Sequence, residues 1–170
     1  MYRSKGYHKM PTVFRECFRN DPDAMATVTG SEDYPELGGR VWFYGTEDGV
    51  LVVSELWGLP VWESACGNSV FGFHIHEGAC CGGNGEDPFA DVGGHYNPDG
   101  CEHPQHAGDL PPLFGNNGYA LSAVLTDRVQ LRDILGRTVI VHSSADDFHT
   151  QPSGNSGAKI ACGEIRPYRR

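Results

Sequence analysis

Along this chain, β-branched and aromatic residues gather in short runs separated by clusters of Gly, Pro, Asn and Asp. Seven such runs read as β-strands: Ala24–Gly30, Arg40–Gly45, Val50–Trp57, Val70–Glu77, Tyr119–Thr126, Thr138–His142 and Lys159–Ile165. Glu47-Asp48-Gly49 between the second and third is a hairpin turn signal. Apolar residues at helical spacing are scarce. Short strands with frequent turns and few helices imply an all-β sandwich or barrel.

Two stretches break the pattern. Gly78–Gly115 carries Gly, Pro, Asp and Asn with three Cys and three His, and Ser143–Ala158 is also irregular. An irregular loop that long inside a domain is either functional or disordered. Bound metal would keep such a loop ordered in place of a core. With 170 residues the chain suits one domain. Residues 1–23 read as a loose arm, 24–166 as the domain, and 167–170 as a short basic tail.

Charge sharpens the reading. The formal net charge is −9, which argues against a nucleic-acid partner. Bases gather at the ends: five lie in residues 1–20 and three in 164–170. Between Arg40 and Arg128 there is neither Lys nor Arg, although most of the histidines lie there. No apolar run approaches a membrane span. Met1–Asn20 has no apolar h-region, so no secretory signal peptide is read in it. The default compartment is then cytoplasmic, although six cysteines leave an extracytoplasmic one open.

The chemistry centres on histidine. In Phe73-His74-Ile75-His76-Glu77, an extended backbone would point His74 and His76 to one face. Alone, such a pair also fits a solvated strand face. The run His103-Pro104-Gln105-His106-Ala107-Gly108-Asp109 spaces three ligand-type side chains three residues apart. With His95 it offers three imidazoles and one carboxylate, a set typical of zinc. His74, His76 and His142, again with His95, offer four imidazoles, which suits copper. His95 would then hold a metal on each ring nitrogen.

These motifs resemble the Cu/Zn superoxide dismutase family, in a bacterial-like form. The matching stretches are GFHIHE (Gly72–Glu77), GGHYNP (Gly93–Pro98), HAGDL (His106–Leu110), GRTVIVHSSADD (Gly136–Asp147) and GNSGAKIACG (Gly154–Gly163). The resemblance implies an eight-stranded Greek-key β-sandwich or flattened barrel, for which the family is itself a reference example. It implies copper on His74, His76, His95 and His142, and zinc on His95, His103, His106 and Asp109. It makes Asp146 the carboxylate that joins a copper ligand to a zinc ligand, and pairs Cys162 with Cys81, or with the adjacent Cys80. Apart from the resemblance, Cys66, which precedes the His74 strand, is expected to pair with Cys80 or Cys101, with a free Cys101 thiol near His103 as the alternative. The implied activity is disproportionation of superoxide anion to dioxygen and hydrogen peroxide. Copper cycles between Cu(II) and Cu(I), and the zinc-held His95 takes and gives a proton.

Nucleic acid and membrane play no part in that reading, and homodimer and monomer both stay open. One departure matters. Where the family carries an anion-attracting Arg, this chain has Lys159, which keeps the charge without the planar fork. The residues 21–162 hold 5 basic and 20 acidic residues, so the field of the body opposes an anion. The rival reading is a copper or zinc buffer on the same sandwich. Metal content measured together with superoxide consumption separates the two.

Overall fold

The computed structural model describes residues 20–64 and 66–169. The arm read over 1–23 therefore lies mostly outside the described residues. At its inner end, Asp23 is tied to the sheet: its carboxylate accepts from Gly45 N–H at 2.8 Å. Among the described residues no helix is long and apolar enough to cross a membrane.

Eight antiparallel strands form one sheet that curls nearly into a barrel. They are β1 (Ala24–Gly30), β2 (Gly38–Thr46), β3 (Gly49–Trp57), β4 (Val70–His76), β5 (Asp109–Phe114), β6 (Ala120–Thr126), β7 (Thr138–His142) and β8 (Lys159–Pro167). The order in the sheet is β5-β4-β7-β8-β1-β2-β3-β6. One short helix, α1 (Leu131–Ile134), and a 3₁₀ turn at Ala90–Val92 are the only regular helical pieces among the described residues.

Seven of these strands coincide with the runs read from sequence, to within two residues at each end. The eighth, β5, falls inside the stretch read as irregular. Its sequence, Asp-Leu-Pro-Pro-Leu-Phe, withholds two ladder N–H groups. Proline is tolerated there because β5 is an edge strand that pairs only with β4.

Alternation places Ala24, Ala26 and Val28 of β1, Val41 and Phe43 of β2, and Val50, Val52 and Leu56 of β3 in one buried core. Phe71, Phe73 and Ile75 of β4 join it with Leu110 and Leu113 of β5. Each fully buried Val, Leu, Ile or Phe among them stabilises the fold by about 1.5–3 kcal/mol. On β4 the alternate residues Gly72, His74 and His76 point the other way, yet all are buried. The strand is covered on both faces: by the core on one, and by the loops 77–108 and 143–158 on the other.

A bulge helps to bring that second cover close. The β4–β5 register shifts between Phe71 and Phe73, and Gly72 N–H donates to Ser144 O at 2.7 Å. A Cβ at Gly72 would lie 2.8 Å from the Ser156 Cβ and 3.3 Å from that of His142. Only glycine lets the loop after β7 approach β4 so nearly.

The long loop is anchored by a disulfide. Cys81 and Cys162 are bridged, which fixes the first of the two pairings read from the resemblance. Cys81 turns inward against a small cluster of Phe89, Val92, Ile140 and Cys162. Its neighbour Cys80 faces solvent. The second pairing expected for Cys66 does not form: Cys66, Cys80 and Cys101 are exposed free thiols on separate loop segments.

Candidate metal centre

Four elements converge on the buried outer face of β4. His74 and His76 come from β4 itself, and His142 ends the neighbouring β7. His95 is carried by an extended segment laid against the end of β4. Glu77 N–H donates to Gly94 O at 3.0 Å, and Tyr96 N–H to Ile75 O at 2.8 Å. His103 and His106 sit on the turn that leads into β5, whose first residue is Asp109. These six histidines and Asp109 form two groups that share His95.

In the first group are His74, His76, His95 and His142, and in the second His95, His103, His106 and Asp109. Within each, the potential ligand atoms all lie within 4.8 Å of one another. The outer ring nitrogens are fixed by protein partners. His76 Nδ1 donates to Gly93 O at 2.9 Å, and His142 Nδ1 to Gly157 O at 3.3 Å. Those bonds set the tautomer that leaves a bare Nε2 lone pair on each ring. The two Nε2 atoms face each other at 3.3 Å. Two acceptors so placed need a cation between them.

Asp146 ties the groups together. Its Oδ2 accepts from His74 Nε2 at 2.8 Å, and its Oδ1 from His103 Nε2 at 2.9 Å. With Nε2 engaged, each ring turns Nδ1 inward. His74 Nδ1, His95 Nε2, His103 Nδ1 and His106 Nδ1 are all buried with no hydrogen-bond partner. Asp109 Oδ2 lies 3.1 Å from His103 Nδ1 and 3.3 Å from His106 Nδ1, converging on one point without hydrogen-bond geometry. Four buried orphan nitrogens are costly unless something ligates them. The donor sets fit two metals: four imidazoles for one, and three imidazoles with a carboxylate for the other.

Electrostatics keep the ligands ready. Burial, and then the proximity of His74, push His142 down to about 3. Burial, His142 and His95 hold His76 well below the ordinary imidazole range. His74 is lowered chiefly by burial, against the pull of its Asp146 bond. All three rings are thus neutral, as metal binding requires. For Asp146 and Asp109 burial works against the charge. It is outweighed, for Asp146 by hydrogen bonds to His74, Phe148 N–H and His103, and for Asp109 by His95 and the charges of the zinc-type group. Both carboxyls sit below their usual range.

Lys159, the first residue of β8, pairs in register with His142 and lines the same cleft as His76, His95 and His142. Its Nζ is engaged by the carboxylate of Asp87. His149 is exposed and belongs to neither group.

Several supporting residues gave no signal in the sequence. Gln151 brackets His103, its Oε1 accepting from His103 N–H at 2.9 Å and its Nε2 donating to His103 O at 2.7 Å. Gly154, at φ +65°, passes so near Asp146 that a Cβ would fall 1.9 Å from Oδ1. Asp147 accepts from Thr150 N–H, Thr150 Oγ1 and His149 N–H, and so builds the turn behind Asp146.

Comparison with known proteins agrees with this geometry. The family described as copper/zinc superoxide dismutase (SODC) matches residues 37–165. The chain is 33% identical over 152 residues to the superoxide dismutase [Cu-Zn] of Legionella pneumophila, covering 85% of this chain and 87% of that protein. It is 34% identical over 165 residues to superoxide dismutase [Cu-Zn] 2 of Aquifex aeolicus (strain VF5), covering 88% and 90%. A crystal structure of a double mutant of a superoxide dismutase-like protein from Bacillus subtilis superposes with a TM-score of 0.68 at 30% identity, over 84% of this chain and 96% of that one. A match this long, on a chain whose strands and histidine groups are those just described, places it: the chain belongs to the copper/zinc superoxide dismutase family.

Proposed function

We propose that this protein disproportionates superoxide to dioxygen and hydrogen peroxide, with copper on His74, His76, His95 and His142 and zinc on His95, His103, His106 and Asp109. One observation carries the reading: His95 presents Nδ1 to the group containing Asp109 and Nε2 to the group containing His142. Bound there, copper supplies a one-electron couple and zinc a fixed cation.

The rest is work for the chain. The Gly93 and Gly157 carbonyls and the Asp146 carboxylate hold the rings in the tautomers that face the metals. His95 Nε2 is the atom that takes and gives a proton, because its ring is kept in place from the other nitrogen. Lys159 is the one Lys or Arg in the lining of the cleft, in a body whose charges are mostly acidic. A superoxide anion is the only partner this chemistry needs. The net charge of −9 supports a reading without nucleic acid, and neither a membrane nor a nucleic acid enters the mechanism. A second copy of the chain is the assembly to seek by sedimentation, supported by exposed Trp57, Trp62, Phe114 and Leu121.

Metal analysis of three variants tests the site. His76→Ala is expected to lose copper and keep zinc, His106→Ala to lose zinc first, and His95→Ala to weaken both. Full copper retention in both His76→Ala and His95→Ala would overturn the assignment.

A further inference from the structure

The ion pair between Lys159 and Asp87 bridges two parts of the fold 72 residues apart. Asp87 is held from its other side as well. Its Oδ1 accepts from Phe89 N–H at 3.0 Å, and its N–H donates to Asn84 Oδ1 at 3.0 Å. Phe89 is buried with Val92, Ile140 and Cys162 beneath the disulfide. The carboxylate is therefore fixed by a packed loop and does not drift on the surface. Lys159 lines the cleft over the histidines, whereas Asp87 stands outside its lining. The pair thus ties the cleft's ammonium to a carboxylate that is not part of the lining.

We propose that Asp87 is a positioning residue that masks Lys159, setting how strongly this protein draws a small anion toward copper. The inference rests on the copper site proposed above. An ammonium has no rigid fork to divide between two partners, so one carboxylate can redirect it where it could only share an Arg. Paired, the two charges nearly cancel toward the cleft. Released, Lys159 would present a full positive charge. For a unit charge about 8 Å from an anion in a half-exposed cleft, the expected gain in anion binding is about three- to four-fold near physiological ionic strength, and more at low salt.

Azide binding to the copper-loaded protein provides the test, read by charge-transfer absorption and by the Cu(II) EPR spectrum. Asp87→Asn, with copper and zinc content unchanged, is expected to bind azide about three- to four-fold more tightly near physiological salt, with a steeper salt dependence. In a Lys159→Met background the same substitution should gain less: it removes the same negative charge but frees no ammonium to turn into the cleft. Unchanged or weaker azide binding in Asp87→Asn would overturn the proposal, and so would equal gains in the two backgrounds. Asp87→Ser, which keeps an oxygen for Phe89 N–H, gives the same reading should Asp87→Asn load metal poorly. Failure of the unsubstituted chain to take up copper would sink the copper site instead, a separate outcome.

Discussion

Cutting the Cys81–Cys162 bridge should cost the fold more than any other change that spares the core. The bridge joins the loop after β4 to β8 across a sequence separation of 81. Closing a loop of that size in the unfolded chain is worth about 4.5 kcal/mol at 25 °C by the chain-entropy relation. That is a large part of the roughly 5–15 kcal/mol typical of a whole domain. Cys162→Ala is the cleaner perturbation, since removing Cys81 would leave Cys162 free to seek the exposed Cys80. Urea unfolding of the metal-free, oxidised protein compares it with the unsubstituted chain, so that metal binding does not add to either side. With a slope of about 2 kcal/mol/M, the midpoint should fall by about 2 M. A loss below about 1 kcal/mol at unchanged slope would refute the reasoning, and would mean that the Phe89–Val92–Ile140 packing alone holds the loop.

Other outcomes follow from the same geometry. Gly154→Ala should displace Asp146 and lower metal affinity by about 10- to 100-fold, the range for losing a ligand's outer hydrogen-bond partner; competition with a chelator measures it, and wild-type affinity would contradict the close approach. The metal-free protein should lose stability on acidification. His142 takes a proton near pH 6.5 when unfolded but only near about 3 when folded. The unfolded state thus binds more protons in that window, so stability is full above pH 6.5 and falls as pH drops. By pH 5 the loss from His142 alone is about 2 kcal/mol, and a flat profile between pH 7 and 5 would refute it. His149→Ala should leave metal content and stability within about 0.5 kcal/mol of the parent, since its ring is exposed and outside both groups.

Most of the fold was legible because alternation in β1, β2 and the second half of β3 survives in the burial of their side chains. β5 was not, because Pro111 and Pro112 erase the local strand signal, and only the edge position makes them acceptable. The histidine spacing pointed to the two metal groups, but the carbonyls of Gly93 and Gly157, Gln151, and the approach of Gly154 were invisible. Each acts through contacts between distant loops rather than through residue type. Asp87 is the clearest case. In the sequence it is one acid among many, and its meaning comes only from the loop that the disulfide brings to Lys159.

Copper on His74, His76, His95 and His142 is the proposed place at which this chain consumes superoxide. The most direct test is the decay of pulse-generated superoxide in the presence of protein carrying one copper and one zinc per chain. Catalytic, many-turnover decay is expected, lost in His76→Ala, with a rate constant below the diffusion-limited range of about 10⁸–10⁹ M⁻¹s⁻¹ because Asp87 masks Lys159. Fully metal-loaded protein that leaves superoxide to decay at its spontaneous rate would contradict it, and would identify the two groups as a metal store.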